Sequence, residues 1–473
     1  MNRSIHPVLW ATLGSLLIAG APLGLHAQTT APQFVPGTVI DTQTGTPING
    51  YGYSVLEVAD LNVDGHLDLA VSFTGIGQVM VRAGDGQGGF GFPVYHSVGG
   101  NAVSVISGDF NEDGRPDLVT TNSTDFTISI LRSTLTGYLP PLTFVTGSMP
   151  VRAYDADLNE DGHLDLVVVD QIDSTVGLLL GNGQGSFAPV LTSFVEIDDS
   201  LEALTIEDLD GDGHLDLIIP CPVLDMVAVL LGLGNGTFFS PQGHAVGANP
   251  GPLAVEDFDG DGIRDVLVPH RSGGSVSWLR GLGGGALAPA VPLLVGGNPQ
   301  CAKEIQDSGG SASKAALPLA ETYAFAVVGH IALGSPPTLE TYQTPYQPEL
   351  IETGDFDEDG FDDLAVVSRV AGVVQIYLQV ATETESLRGD VDGDGQLALV
   401  DAFAILDVVF ATGQSACPDR VDANDDGRLD IADAVRVLSV MFGGAASLPT
   451  PGVECGVDPT EDTLAACDEG CAP

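Results

Sequence analysis

The chain has 473 residues, with 64 acidic against 15 basic side chains and a formal net charge of −49. This balance argues against binding to nucleic acid and to anionic membrane surfaces, both of which require a basic patch. The composition, 44% hydrophobic with 61 glycines and 30 prolines, allows a sizeable core built from many short elements and tight turns. The acidity can reflect a solvated surface, adaptation to a salty medium or ligation of hard cations, and the positions of the acids decide among these.

Residues 1–27 have the pattern of a signal peptide. Arg3 supplies a basic start, residues 8–25 are mostly apolar, and Ala27 is a small residue suited to cleavage. An uncleaved anchor helix is the alternative, but Pro7 and Pro22 bracket an apolar run that is short for a bilayer span. We therefore expect a secreted or cell-surface protein without a membrane span.

An Asp-rich pattern, Asp-x-[Asp/Asn]-x-Asp-Gly-x-x-Asp-[Leu/Val], recurs along most of the chain. It begins at positions 60, 109, 157, 208, 257 and 355, so the successive intervals are 49, 48, 51, 49 and 98 residues. The last interval is twice 49, which indicates one unit of normal length that lacks the pattern. Regular spacing in this range is typical of a propeller or a solenoid.

Each unit contains four short apolar segments separated by glycine turns, which is typical of a propeller blade. In the fourth unit these segments are residues 203–206, 215–220, 227–231 and a fourth beginning near Phe238. The pattern predicts an all-β fold, a seven-bladed β-propeller over residues 51–381. Residues 28–50 form an N-terminal segment that is the candidate for a ring-closing strand.

The Asp loops are the candidate cation sites. Three or four carboxylates within nine residues repel one another strongly without a counter-ion, and Ca²⁺ accepts six to eight oxygen ligands with flexible geometry. Asp-Gly and Asn-Gly pairs also form ordinary turns, but turn formation does not explain acids at positions 1, 5 and 9 with Asp or Asn at position 3 in every loop. The candidate ligands are Asp60, Asn62, Asp64 and Asp68; Asp109, Asn111, Asp113 and Asp117; Asp157, Asn159, Asp161 and Asp165; Asp208, Asp210, Asp212 and Asp216; Asp257, Asp259, Asp261 and Asp265; and Asp355, Asp357, Asp359 and Asp363.

These units resemble the FG-GAP or VCBS repeats of integrin-type propellers and of many secreted bacterial proteins. The resemblance implies calcium loops between the first two strands of each blade. It does not imply one activity, because such propellers serve adhesion, sugar binding and occasionally lyase chemistry. The sixth unit departs from the pattern, with Gln306, Ser308, Gly310 and Lys314 at positions 1, 3, 5 and 9. We expect no ion in that blade.

A different duplication follows a polar linker at residues 382–387. Twelve-residue loops begin at Asp390 and Asp422, 32 residues apart, in the EF-hand arrangement with Asp replacing the usual Glu at position 12. Apolar residues at spacings of three and four predict an amphipathic helix after each loop. The candidate ligands are Asp390, Asp392, Asp394, Gln396 and Asp401 in the first loop, and Asp422, Asn424, Asp426, Arg428 and Asp433 in the second.

The duplicated loop and helix at residues 388–445 resemble a type I dockerin domain. The resemblance implies two calcium ions needed for folding and docking to a cohesin-like partner, which brings the expected total to about eight Ca²⁺ sites. The alternative is a self-contained, calcium-stapled tail that docks to nothing. In and beyond this module, Cys417, Cys455, Cys467 and Cys471 are expected to form two disulfides, in one of three pairings, with residues 446–473 as a Cys-rich tail.

The leading interpretation is a secreted, non-catalytic binding or adhesion module for an extracellular glycan or protein ligand, tethered through its dockerin-like domain. The alternative is a polysaccharide-degrading enzyme, a lyase or glycoside hydrolase, or an accessory subunit of such a complex. A purely structural envelope component is a third reading. Against catalysis, His66, His163 and His214 all occupy loop position 7 and are repeat residues, with no set of bases and nucleophiles outside the loops.

Overall fold

The computed structural model describes residues 33–41, 56–188, 191–192, 201–305, 313–329, 331, 337–380, 399–407, 409 and 431–443. The chain divides into two compact units, one spanning residues 31–381 and the other containing the C-terminal residues from 382 onward. The expected signal peptide, the linker, both twelve-residue loops up to their last residues, and the four C-terminal cysteines lie outside the described residues.

The larger unit is built from seven four-stranded antiparallel sheets, which are the blades of a β-propeller. Blade 1 contains β2 (Leu56–Ala59), β3 (Asp68–Phe73), β4 (Gln78–Arg82) and β5 (Val94–Ser97). Blade 2 contains β6 (Ala102–Gly108), β7 (Asp117–Asn122), β8 (Thr127–Leu131) and β11 (Leu142–Val145). A short hairpin of β9 (Ser133–Thr134) and β10 (Gly137–Tyr138) is inserted between β8 and β11. Blade 3 contains β12 (Pro150–Ala156), β13 (Asp165–Asp170), β14 (Thr175–Leu179) and β15 (Leu191–Thr192); blade 4 contains β16 (Thr205–Glu207), β17 (Asp216–Cys221), β18 (Met226–Leu230) and β19 (Gln242–Ala245). Blade 5 contains β20 (Ala254–Glu256), β21 (Asp265–Pro269), β22 (Ser275–Leu279) and β23 (Val291–Leu294); blade 6 contains β24 (Lys303–Ile305), β25 (Lys314–Leu319), β26 (Ala324–Gly329) and β27 (Thr338–Gln343), with a short 3₁₀ helix at Ala320–Thr322. Blade 7 contains β28 (Leu350–Gly354), β29 (Asp363–Ser368), β30 (Val373–Val380) and β1 (Gln33–Asp41). The seven-bladed all-β prediction is therefore confirmed.

The ring is closed by the N-terminal strand. β1 pairs antiparallel with β30, so that Phe34 lies opposite Gln379 and Ile40 opposite Val374. The last blade is thus made from both ends of the propeller sequence. The closing strand occupies residues 33–41, within the N-terminal segment where the sequence suggested one, so the folded propeller begins before residue 51.

The burial pattern of the strands follows from this architecture. The second strand of each blade is buried along its whole length, as in β13 and β29, because neighbouring blades cover both faces of the sheet. The fourth strands β5, β19 and β23 are mostly exposed, with one side chain in four turned inward. Cys221 and Cys301 are both buried, and neither forms a disulfide.

The smaller unit contains two helices in its described part, α1 (Leu399–Asp407) and α2 (Ile431–Gly443), which pack against each other. Ala402 and Ile405 of α1 are buried, as are Ala434 and Val437 of α2, so the apolar faces expected from the sequence are the packed ones. Asp401 lies in α1 and Asp433, which is buried, lies in α2. Neither helix has the length and apolar character that a membrane-spanning helix requires.

Candidate metal centres

Each Asp loop connects the first and second strands of its blade. Position 9 is the first residue of the second strand in all six loops: Asp68, Asp117, Asp165, Asp216, Asp265 and Asp363 begin β3, β7, β13, β17, β21 and β29. The repeat spacing of the sequence therefore becomes a ring of equivalent loops. In blade 6 the same place, the first residue of β25, is held by Lys314, which agrees with the proposed alignment of that unit.

The position-1 carboxylate fixes the turn of the loop. In all six loops one of its oxygens accepts the backbone N–H of position 5 and the other accepts the N–H of the position-6 glycine, at 2.7–3.2 Å. Backbone donors that point at one carboxylate hold it in place and stabilise its charged form. The loop conformation is therefore set by the same side chains that would bind a cation.

Two loop positions adopt left-handed backbone conformations. The position-6 glycines have φ between 81° and 95°, and a Cβ added to Gly65 would meet no atom within 4 Å, so backbone conformation and not space requires glycine there. Position 4 also has positive φ, but it is occupied by Val63 or a glutamate in four of the six loops. Its side chain projects from the loop and is free to serve another purpose.

The position-9 carboxylate is buried and pairs with backbone on both sides. Its Oδ1 accepts the N–H of the residue sixteen positions later, at 2.6–2.8 Å, in every one of the six loops. In four loops its Oδ2 also accepts the N–H of position 2, at 2.9–3.2 Å. Position 9, which the sequence predicts to be a cation ligand, thus also joins the loop to the end of the third strand.

Burial raises the pKa of these carboxyls, and the other loop aspartates raise it further. The pKa rises to about 6 for Asp68, Asp117, Asp216 and Asp265 and to about 7 for Asp363. The pKa of Asp165 is raised for the same reason. Packed carboxylates of this kind are electrostatically costly, and a bound cation relieves that cost.

The arrangement of the oxygens fits a cation. Three loops bring oxygens of three aspartates within 4.8 Å of one another: Asp208, Asp210 and Asp216; Asp257, Asp259 and Asp265; and Asp355, Asp357 and Asp359. In two loops the position-3 side chain has a buried oxygen, Asn111 Oδ1 or Asp357 Oδ1, that finds no hydrogen-bond donor among the described residues. Buried acceptors are nearly always paired, so these oxygens have the character of ligand atoms. Clusters made only of carboxylate and amide oxygens suit hard cations.

The sequence reasoning missed a set of contacts between neighbouring loops. His66, His163 and His214 at position 7 each contact the position-4 glutamate of the preceding blade's loop, Glu358, Glu112 and Glu160 respectively. The hydrogen bond to that glutamate raises the pKa of each histidine. The sequence contained one indication of these pairs, because histidine at position 7 and glutamate at position 4 of the preceding loop occur together. The remaining three Asp loops have no histidine at position 7, and the loops before them have no glutamate at position 4.

Comparison with known proteins agrees with the repeat analysis. The model of the FG-GAP-like repeat family matches residues 60–120 and 157–219, so the chain carries FG-GAP-like repeats. No curated protein matches the sequence.

Solved structures share the architecture at low sequence identity. The chain is similar to the crystal structure of BBS1N in complex with ARL6DN soaked with lead, at 13% identity and a TM-score of 0.53, over 74% of this chain and 97% of that chain. It is also similar to the hydrazine synthase of Kuenenia stuttgartiensis, at 12% identity and a TM-score of 0.50, over 72% and 99% of the two chains. At such identities the similarity establishes the fold alone.

Proposed function

We propose that this FG-GAP-repeat propeller is a secreted, non-catalytic binding or adhesion module whose Asp loops hold Ca²⁺. The observation that carries the calcium assignment is the shared loop geometry: six loops with the same ligand pattern, of which three gather three carboxylates within 4.8 Å. Bound calcium would neutralise these acids and hold the first two strands of each blade together.

Calcium suits this donor set better than other common metals do. Ca²⁺ tolerates irregular geometry and six to eight oxygens, whereas Mg²⁺ demands a near-ideal octahedron and retains its waters. Positions 1, 3, 5 and 9 would supply the side-chain oxygens. In blade 4 these are Asp208, Asp210, Asp212 and Asp216, of which the first, second and fourth have oxygens within 4.8 Å of one another. Position 7, here His214, would contribute its backbone carbonyl. The backbone donors at position 1 already orient that carboxylate.

Export and tethering complete the proposal. The N-terminal pattern of residues 1–27 supports secretion, and the duplicated loop–helix sequence at 388–445 supports a dockerin-like module that binds two further ions and a cohesin-like partner. An extracellular glycan or protein would be the ligand of the propeller. The FG-GAP-like match supports a binding role, since propellers with such repeats commonly serve recognition.

Metal analysis after equilibrium dialysis tests the calcium assignment. At saturating calcium we expect about eight ions per chain, counted from six propeller loops and two C-terminal loops. Asp208→Ala should lower the count by about one, because each loop binds its ion with its own side chains. Asp173→Ala removes an exposed aspartate outside the loops and should leave the count unchanged. Two or fewer ions bound by the wild-type chain would refute the proposal.

A glycan array probed with the calcium-loaded protein tests the binding role. Binding that disappears with chelator and returns with calcium would support a propeller ligand site maintained by the metal. Cleavage of a polysaccharide by the purified protein would instead establish the enzymatic alternative.

A further inference from the structure

The fifth loop contains a cation of its own. Arg280 directly follows β22, and its Nε donates to Asp259 Oδ2 at 2.6 Å, while its Nη2 donates to Asp261 Oδ2. Asp259 and Asp261 are positions 3 and 5 of the loop. The guanidinium therefore binds two of the carboxylates that a metal ion would need.

This contact distinguishes blade 5 from its neighbours. The residue fifteen places after position 9 is Leu180, Leu231 and Leu378 in blades 3, 4 and 7 and Ala83 in blade 1, none of which carries a charge. Blade 2 has Arg132 at this place; its charge lowers the pKa of Asp117, but its Nε is buried without a hydrogen-bond partner among the described residues. Arg280 is thus the one residue of this set that is seated between loop carboxylates.

The guanidinium and a metal ion cannot both use these oxygens. Arg280 holds one oxygen of each aspartate through short, charge-assisted hydrogen bonds, and the other oxygen of each accepts a backbone N–H. A metal ion would therefore have to displace the guanidinium or share oxygens that are already hydrogen-bonded. The side chain is tethered, so its local concentration does not fall when the surrounding medium is depleted of calcium. It also offsets part of the repulsion among the four aspartates of the loop.

We propose that Arg280 acts as a tethered cation that satisfies the fifth loop without calcium and makes this loop the last to bind the metal. The inference rests on the proposed calcium binding of the other loops. It separates the fifth loop, which keeps its shape when calcium is scarce, from loops that have no guanidinium between two of their carboxylates. In the second loop Arg115 approaches one carboxylate only, that of Asp113, at 3.8 Å.

Trp278 provides a local probe for this loop. Its indole Nε1 donates to Asp265 Oδ2, at position 9, at 2.9 Å. The sequence has two tryptophans, and the other, Trp10, lies in the expected signal peptide. Tryptophan fluorescence of the mature protein therefore reports on the fifth loop.

The experiment is a calcium titration of the full mature chain, monitored both by Trp278 fluorescence and by calorimetry. The variant Arg280→Leu introduces the residue that blades 3, 4 and 7 have at this place. The control Arg264→Leu removes a positive charge from the same loop, but Arg264 pairs with Glu207, at 3.1 Å, and not with the loop ligands. In the wild type, the calcium concentration at the midpoint of the fluorescence change should be higher than the concentration at which calorimetry shows the other sites half filled. Arg280→Leu should lower the fluorescence midpoint about tenfold, which corresponds to about 1.4 kcal/mol, and Arg264→Leu should not move it.

A second readout needs no metal. In chelator, Arg280→Leu should unfold at a lower temperature than Arg264→Leu, because only the former loses the tethered cation, and calcium should remove the difference. If the wild type binds calcium but all three proteins have the same fluorescence midpoint, the inference about Arg280 is overturned and the proposed function is not. A wild type that binds no calcium by calorimetry would overturn the proposed function and this inference with it.

Discussion

At the scale of single residues, the loop aspartates serve two distinct purposes. The position-1 and position-5 carboxylates are partly or fully exposed and bond to backbone within the loop. The position-9 carboxylate is fully buried, and in blade 3 the two oxygens of Asp165 accept the N–H groups of Leu158 and Gly181, at 3.2 and 2.8 Å. This residue should stabilise the blade even without a metal.

We therefore expect Asp165→Ala to destabilise the metal-free propeller by about 2–6 kcal/mol, since two N–H donors, one buried and one partly buried, each lose a partner at about 1–3 kcal/mol. Asp165→Asn keeps one acceptor and should cost less. The matched control is Asp161→Ala in the exposed part of the same loop, where water replaces the lost bonds. Denaturant unfolding in the presence of chelator measures the free energy of unfolding of all three variants. Equal losses of stability for Asp161→Ala and Asp165→Ala would contradict this division of roles.

At the scale of elements, ring closure depends on β1. The strand contributes backbone pairing to β30 and two buried apolar side chains, Ile40 and Phe34, the latter 7% exposed. The Phe34 ring meets Phe325 and Tyr342 of blade 6 edge to face, with centroids 5.7 and 5.4 Å apart. The closing strand is thereby fixed to its own blade by hydrogen bonds and to the neighbouring blade by an aromatic cluster.

Phe34→Ala should lower the free energy of unfolding by about 3 kcal/mol, because it removes a buried aromatic ring and leaves a cavity. Val35→Ala is the control in the same strand: Val35 is 41% exposed, and its truncation should change stability by less than about 0.5 kcal/mol. Denaturant titration compares the two variants. Similar, small effects of both would mean that the Phe34 ring does not contribute to closing the propeller.

At the scale of the whole molecule, the first strands of the blades meet around the axis and bring charged residues together. Lys303 of blade 6 pairs with Glu352 of blade 7 at 2.8 Å, and Glu57 of blade 1 accepts hydrogen bonds from the backbone and hydroxyl of Ser107 in blade 2. Burial raises the pKa of Glu57 to about 8, and the nearby carboxylates of Glu352 and Asp155 add to the shift. Glu57 is thus mainly protonated in the folded protein at neutral pH.

This shift predicts a pH dependence with a definite sign. Between pH 4.5, the ordinary pKa of a glutamate, and about 8, the folded state keeps a proton that the unfolded state has released, so the contribution of Glu57 to stability falls as the pH rises. Glu57→Gln should match the wild type below this window and become more stable than the wild type above it. Thermal melts across pH measure the difference, with exposed Glu321→Gln as the control. A constant difference at every pH would show that Glu57 does not change its protonation on unfolding.

The sequence by itself determined the number of blades, the place of each Asp loop and the unit that lacks its ligands. It could do so because these features are local: the ligands of one loop lie within nine consecutive residues, and the interval of about 49 residues counts the blades directly. The amphipathic faces of α1 and α2 were likewise visible, since helical contacts recur at fixed short spacings.

Only the tertiary structure decided which distant residues meet. His66 and Glu358 are 292 positions apart and touch because the ring places the last loop beside the first. Arg280 lies 21 positions from Asp259 and reaches it because the third strand of the blade returns to the loop end of the sheet. The spacing of residues in the sequence predicts contacts within a single turn. The contacts between loops and the contact of Arg280 with the loop aspartates depend instead on the three-dimensional path of the chain.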